Sequence, residues 1–267
     1  MTGSFPTVAG AIRSALLTAE PKAKAFAARD VARKWRLGRL AWKFDVPMPD
    51  TPAWPERPDL LSPARMPRRG RGGSDKGRIA LWHALAHIEF VAIDLALDIV
   101  GRFGGRLPRA FTDDFLSVAA DEAMHFALLD RKLRTLGSHY GALPAHAGLW
   151  QAAQETSGDV MARLAIVPMV LEARGLDVTP ATLERIRSQG DENGARILQR
   201  ILDDEIRHVG FGTKHFVALA RENGESPQNH WKSLVAKHFR GGIKPPFNDS
   251  ARLAAGLSRD FYDSIAS

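Results

Sequence analysis

Apolar residues recur every three to four positions through most of the chain, which is the repeat of amphipathic helices and not the alternation of strands. The longest such stretches lie at about 75–100, 112–137, 159–174 and 192–221. Ser74 suits the N-cap of the first, and Gly101 lies near its end. Asp113 and Asp114 suit the positive end of the second, which Gly137 stops. In the third, Gly175 is expected to close the helix, Pro180 to prevent its continuation, and Pro168 to kink it one turn before Glu172. Small helices are expected around 149–155 and 182–188, and two further helical stretches within 227–239 and 249–265. Nothing reads as a strand.

Upstream, 7–44 reads as helical, with Val8, Ile12, Ala15 and Leu16 at helical intervals. The texture then changes: Pro47, Pro49, Pro52, Pro55, Pro58, Pro63 and Pro67 forbid regular helix over 45–74. We expect an extended segment laid over the main domain, anchored by Trp54, Leu60 and Leu61, with a basic Arg/Gly run at 68–73. The expected fold is all-α: a four-helix bundle at 74–224, an N-terminal extension at 1–73 and a C-terminal helical extension at 225–267. The 20-odd residues between Gly137 and Asp159 allow a long crossover from the second to the third long helix.

Two of these helices carry the same pair, Glu122-x-x-His125 and Glu205-x-x-His208. At ~3.6 residues per turn, a three-residue spacing puts both side chains on one face. The faces are apolar: Phe115, Val118, Phe126 and Leu129 flank the first pair, and Leu198, Ile201, Leu202 and Val209 the second. Each intervening helix offers one inward glutamate, Glu89 beside Trp82, Leu85, Ala92, Ile93 and Ala96, and Glu172 beside Ala165, Pro168 and Met169. Glu89 precedes Glu122 by 33 residues, and Glu172 precedes Glu205 by 33. With 11 Glu and 9 His, about 0.4 Glu-x-x-His matches are expected by chance, so the argument rests on the ordered set of six.

Four carboxylates and two imidazoles form the ligand inventory of dinuclear iron and manganese sites in helical bundles. Four carboxylates offset the charge of two divalent ions, and imidazoles complete the sphere while leaving positions open for oxygen. Glu122 and Glu205 would bridge, His125 and His208 would each bind one ion, and Glu89 and Glu172 would be terminal ligands. The competing reading pairs these glutamates with Arg131, Arg174 or Arg207 in a polar core layer. Asp94 competes with Glu89 but breaks the 33-residue agreement. His83 and His87 point away from Glu89 and read as a hydrogen-bonded or exposed pair, and His215 reads as a core histidine. Tyr140, with His139 and His146, caps the site or pins the loop after the second helix.

Composition narrows the chemistry. There is no cysteine, so disulfides and thiolates are excluded and any metal must be held by His and carboxylates. No run of eighteen apolar residues and no signal peptide is apparent, so a cytoplasmic location without a membrane partner is expected. The net charge of +7 is uneven: residues 1–80 carry 16 Lys+Arg against 7 Asp+Glu, while the remainder is slightly acidic. That excess admits RNA as a partner of the N-terminal region.

The blocks Ala86-His87-Ile88-Glu89, Ala119-Ala120-Asp121-Glu122-Ala123-Met124-His125-Phe126, Leu171-Glu172-Ala173-Arg174-Gly175-Leu176-Asp177 and Asp204-Glu205-Ile206-Arg207-His208 resemble the ferritin-like "domain of unknown function 455" family over about residues 50–220. The resemblance implies the bundle and a di-iron site. More remotely, Glu172-Ala173-Arg174 and Glu205-x-x-His208 are similar to the di-iron hydroxylase that modifies a tRNA base. The expected function is oxygen activation at two iron ions, or a di-manganese or mixed pair, to oxidise or hydroxylate an organic substrate with electrons from a donor protein. Iron handling of the mini-ferritin kind, or a nucleic-acid-associated bundle, are the rivals.

Overall fold

The structure is a computed structural model, and it describes residues 6–62, 65–67 and 74–266. The chain is all-α, apart from one two-residue strand pair among the described residues, and divides into two compact units, Met1–Trp150 and Gln151–Ser267. No helix among the described residues is long and apolar enough to cross a membrane.

In the first unit α1 (Val8–Leu16) is capped by Thr7, and α2 (Pro21–Arg36) by Glu20, whose carboxylate accepts from Lys22 N and Ala23 N. The helical expectation over 7–44 holds only to Arg36: Gly38 turns the chain at φ 65°, and Ala41 then pairs with Thr7. The proline-rich segment is extended, and its anchors hold. Trp54 Nε1 donates to Asp94 Oδ2 at 2.9 Å, and β1 (Leu60–Leu61) pairs in parallel with β2 (Ala145–His146). Glycines let this segment approach the helical core: a Cβ on Gly101 would lie 2.2 Å from Met48 Sδ, and one on Gly104 2.7 Å from the Phe44 ring. The Arg/Gly run and Pro63 lie outside the described residues.

The centre of this unit is α3 (Asp75–Phe103), followed by a 3₁₀ turn (Gly104–Arg106) and α4 (Arg109–Thr135). All residues over 89–100 are buried, so α3 is enclosed on every side, as a helix apolar around its circumference must be. Its three carboxylates in that span are tied individually: Glu89 to His125, Asp94 to Lys24 and Trp54, and Asp98 to Arg102. α2 packs on α4, and Trp35 Nε1 donates to Asp113 Oδ1 at 2.7 Å.

Between α4 and the next long helix lie β2 and α5 (Gly148–Glu155). The second unit is built on α6 (Val160–Ile166), a π-helical segment (Val167–Glu172), α7 (Ala173–Ser188) and α8 (Glu192–Glu222). α9 (Pro227–His238), α10 (Asp249–Ala254) and α11 (Arg259–Tyr262) complete it. Here two expectations are corrected. Pro168 widens the helix into a π turn, with the Ala165 carbonyl accepting from Trp231 Nε1. Neither Gly175 nor Pro180 stops the helix, so 182–188 is its continuation. Pro180 has no N–H for the carbonyl of Leu176, and Asn248 Nδ2 donates to that oxygen instead at 3.1 Å. Asn248 N and Arg252 bind Asp177, which fixes the tail against the same turn.

Candidate metal centre

Glu122 and His125 project from the inner face of α4, and Glu89 from the enclosed span of α3. His125 Nδ1 lies 3.2 Å from Glu89 Oε2 and 3.4 Å from Glu122 Oε2. One ligand atom from each of the three falls within 4.8 Å of the others, a grouping that could hold a metal ion. All three are buried, with relative exposures of 5% for Glu89, 1% for Glu122 and 0% for His125. The residues that follow two of the three in sequence, Phe90 and Phe126, pack with centroids 5.3 Å apart, and Tyr140 stands against both rings.

The electrostatics are those of three groups sharing protons. Burial pushes the Glu89 carboxyl well above the usual carboxylate range, and the charge of Glu122 adds to it. Burial opposes the imidazolium of His125, but hydrogen bonds and charge from Glu122 and Glu89 overcome this and lift it to about 11. Without a cation, then, a proton on His125 offsets the carboxylates. A divalent ion would do the same with more charge, displacing the proton as it binds.

In the second unit His208 Nδ1 and Glu205 Oε1 are 3.5 Å apart, one turn along α8. His208 is wholly buried, while Glu205 and Glu172 are partly exposed. Glu172 is the last residue of the π segment, which packs on α8. The contact is close, since a Cβ on Gly212 would lie 2.4 Å from Pro168 Cβ. Two of the arginines weighed as partners are engaged elsewhere: Arg174 donates to the carbonyls of Lys244 and Pro246, and Arg207 to Asp204.

The chain belongs to the family described as Protein of unknown function (DUF455). The family model matches residues 17–263, reaching beyond the four motif blocks into α2 and the C-terminal helices. An "Uncharacterized protein" of Haemophilus influenzae (strain ATCC 51907 / DSM 11121 / KW20 / Rd) is 41% identical over 226 residues, covering 82% of this chain and 78% of that protein. No solved structure matches.

The remaining candidates of this DUF455 chain have structural roles. His83 Nε2 accepts from Gly141 N and Leu143 N, at 3.0 and 3.4 Å, so its proton is on Nδ1. His87 Nε2 donates to the His146 carbonyl, which leaves Nδ1 to accept from the Tyr140 hydroxyl at 3.0 Å. Tyr140 stacks on both rings. This trio pins the loop. Asp94 accepts from Lys24 Nζ at 2.6 and 2.8 Å, in an ion pair with both side chains fully buried. Burial raises Asp94 to about 6, against the opposing pull of Lys24. Sequence reasoning missed Lys24, yet the signal was present. It continues the buried stripe Ala28, Val31 and Trp35 at helical spacing, so its ammonium had to meet an anion in the core. Arg163, buried and donating to Thr156 Oγ1 and the Ala153 carbonyl, was missed for the same reason.

Proposed function

We propose that this chain is a carboxylate–histidine metalloprotein of the ferritin-like kind, which holds two iron ions and uses dioxygen to oxidise or hydroxylate an organic substrate. Manganese in one or both positions is the other loading the donor set accepts. The observation that carries the reading is the enclosed trio Glu89, Glu122 and His125. Two carboxylates and an imidazole in an apolar interior cost several kcal/mol each to desolvate, and a divalent cation offsets that cost. Glu172, Glu205 and His208 are proposed as the second set of ligands. They match the first in residue types and in the 33-residue interval, and together the sets balance four positive charges.

When bound, the ions would supply dioxygen activation and redox capacity. The residues of the chain do the rest. His125 would hold an ion as a neutral imidazole after giving up its shared proton, and Glu89 would do so as a carboxylate after losing the proton that burial favours. Inserting one oxygen atom into a substrate while reducing the other to water takes two electrons from outside, so an electron-donor protein is the expected partner.

Anaerobic loading with iron(II), followed by metal analysis and then oxygen, tests the reading. Two iron ions per chain, oxygen consumption and a transient visible absorption are expected. No bound metal, or no oxygen consumption, would overturn it. Iron oxidation in a many-subunit shell on sizing chromatography would point instead to iron storage.

A further inference from the structure

One face of α2 sets four cations around an exposed aromatic ring. Lys22, Phe26, Arg29, Arg33 and Arg36 are spaced by four, three, four and three residues, which puts all five on a single stripe. Every one of them is exposed, Phe26 by 71% of its surface. None of the four cations forms an ion pair among the described residues, whereas Lys34, off the stripe, is paired with Asp30. At ~1.5 Å per residue the stripe runs about 21 Å.

Beside it, α2 and α4 enclose a groove of 290 Å³. Its floor is apolar, made by Ala25, Phe26, Ala123, Phe126 and Ala127, and Arg131 adds a fifth unpaired cation on the far wall. The one acidic side chain at the rim, Asp130, is held by Arg134. A solvated helix face would spread its cations among acids and would not leave a phenyl ring in their midst. A chain of alternating anions and flat rings meets both features: anions along the stripe, and a ring in the groove against Phe26. Single-stranded nucleic acid has this chemistry, because every base offers an aromatic face and every linkage a charge. Duplexes fit poorly, since their bases are already stacked and cannot reach the ring.

We propose that the α2–α4 face binds a single-stranded RNA segment, with a base stacked on Phe26 and phosphates on Lys22, Arg29, Arg33, Arg36 and Arg131. The inference does not depend on the metal reading.

The test is fluorescence anisotropy of the full chain with a labelled oligouridylate of about ten nucleotides, alongside a duplex RNA of equal length and vesicles of phosphatidylserine and phosphatidylcholine. Five phosphate contacts on a single strand give a log–log salt slope of about −3.5, so raising salt from ~50 to ~200 mM should weaken binding roughly 100-fold. Phe26→Ala should weaken it by about ten- to hundred-fold, the range for one stacked base. Arg29→Glu with Arg131→Glu should abolish it, with circular dichroism and metal content unchanged. Cross-linking of 4-thiouridine RNA to the unsubstituted protein should map to the peptide holding Phe26, and does not depend on any variant folding. No binding, equal binding of the duplex, preference for the vesicles, or a Phe26→Ala variant that binds as the parent does would each overturn the proposal. Because metal content is read in the same samples, failure here is distinguishable from failure of the iron reading.

Discussion

The helix pair α3–α4 and the pair formed by the π segment with α8 each carry two glutamates and a histidine, the glutamates at the same 33-residue interval, on different backbones. α3 holds Glu89 in regular α-helix, enclosed on all sides, and closes it against His125 at 3.2 Å. Its counterpart Glu172 ends a π turn that begins beside a proline, and it stays partly exposed, as does Glu205. The interval is thus a property of two long helices returning past one another, and survives a change of helix type. Enclosure is a property of what packs outside. In the first unit α2, anchored through Lys24 to Asp94, covers α4 and α3.

Removing a donor from each trio is the strongest way to break that comparison. His125→Ala should abolish retention of metal by the first trio, exceeding the 10–100-fold loss typical of an outer-sphere partner. Glu172→Gln, at the more exposed position, should lower metal affinity less. Isothermal titration with iron(II) under nitrogen reads both, and equal losses would remove the distinction drawn between the trios.

Next in size is the buried ion pair beneath α2. Lys24→Met leaves Asp94 without its ammonium and should cost ~3–5 kcal/mol of unfolding free energy. Lys24→Met with Asp94→Asn should recover much of that, because the remaining amide can still meet Trp54 Nε1. Urea denaturation of the two variants decides it.

The π turn can be probed through the glycine that faces it. Gly212→Ala puts a methyl 2.4 Å from Pro168, a rigid ring beside a widened backbone, and should cost ~1–3 kcal/mol. Gly101→Ala meets only the thioether of Met48, which can swing away, and should cost less in thermal unfolding.

The smallest effect is acid sensitivity of the first unit. Burial holds His83 and His87 down to about 4, whereas in the unfolded chain they titrate near the ordinary imidazole value of 6.5. The unfolded state therefore takes up more protons between pH 6.5 and 4. The rings' contribution to stability is full above that window and falls as pH drops through it, while Asp94, raised to about 6, takes up a proton in the folded state over part of the same window and offsets one ring. The rings are therefore read through the difference in melting temperature between the parent and His83→Gln at pH 7 and pH 5, and hydrogen exchange should quicken first over the 137–147 loop that they pin. His83→Gln should flatten the slope.

Much of this was legible in the sequence because helices have a fixed period. The four long stretches of helical repeat, the cap at Ser74, the two Glu-x-x-His pairs and the inward position of Glu89 all follow from local sequence. So does the cationic stripe of α2. What spacing cannot supply is the fate of a backbone group whose local partner is missing. Whether Pro180 ends a helix depends on whether something else donates to the Leu176 carbonyl, and Asn248, 72 residues away, does so. Whether Pro168 kinks or widens its helix depends likewise on Trp231 and on the glycine opposite. The amino-acid sequence by itself determined an all-α chain and the residues that aim carboxylates and imidazoles inward, since both rest on local periodicity. Only the tertiary structure decided which of the glutamates are buried, which aspartate takes the buried lysine, and where the helices run on through proline, because each is set by partners distant in the chain.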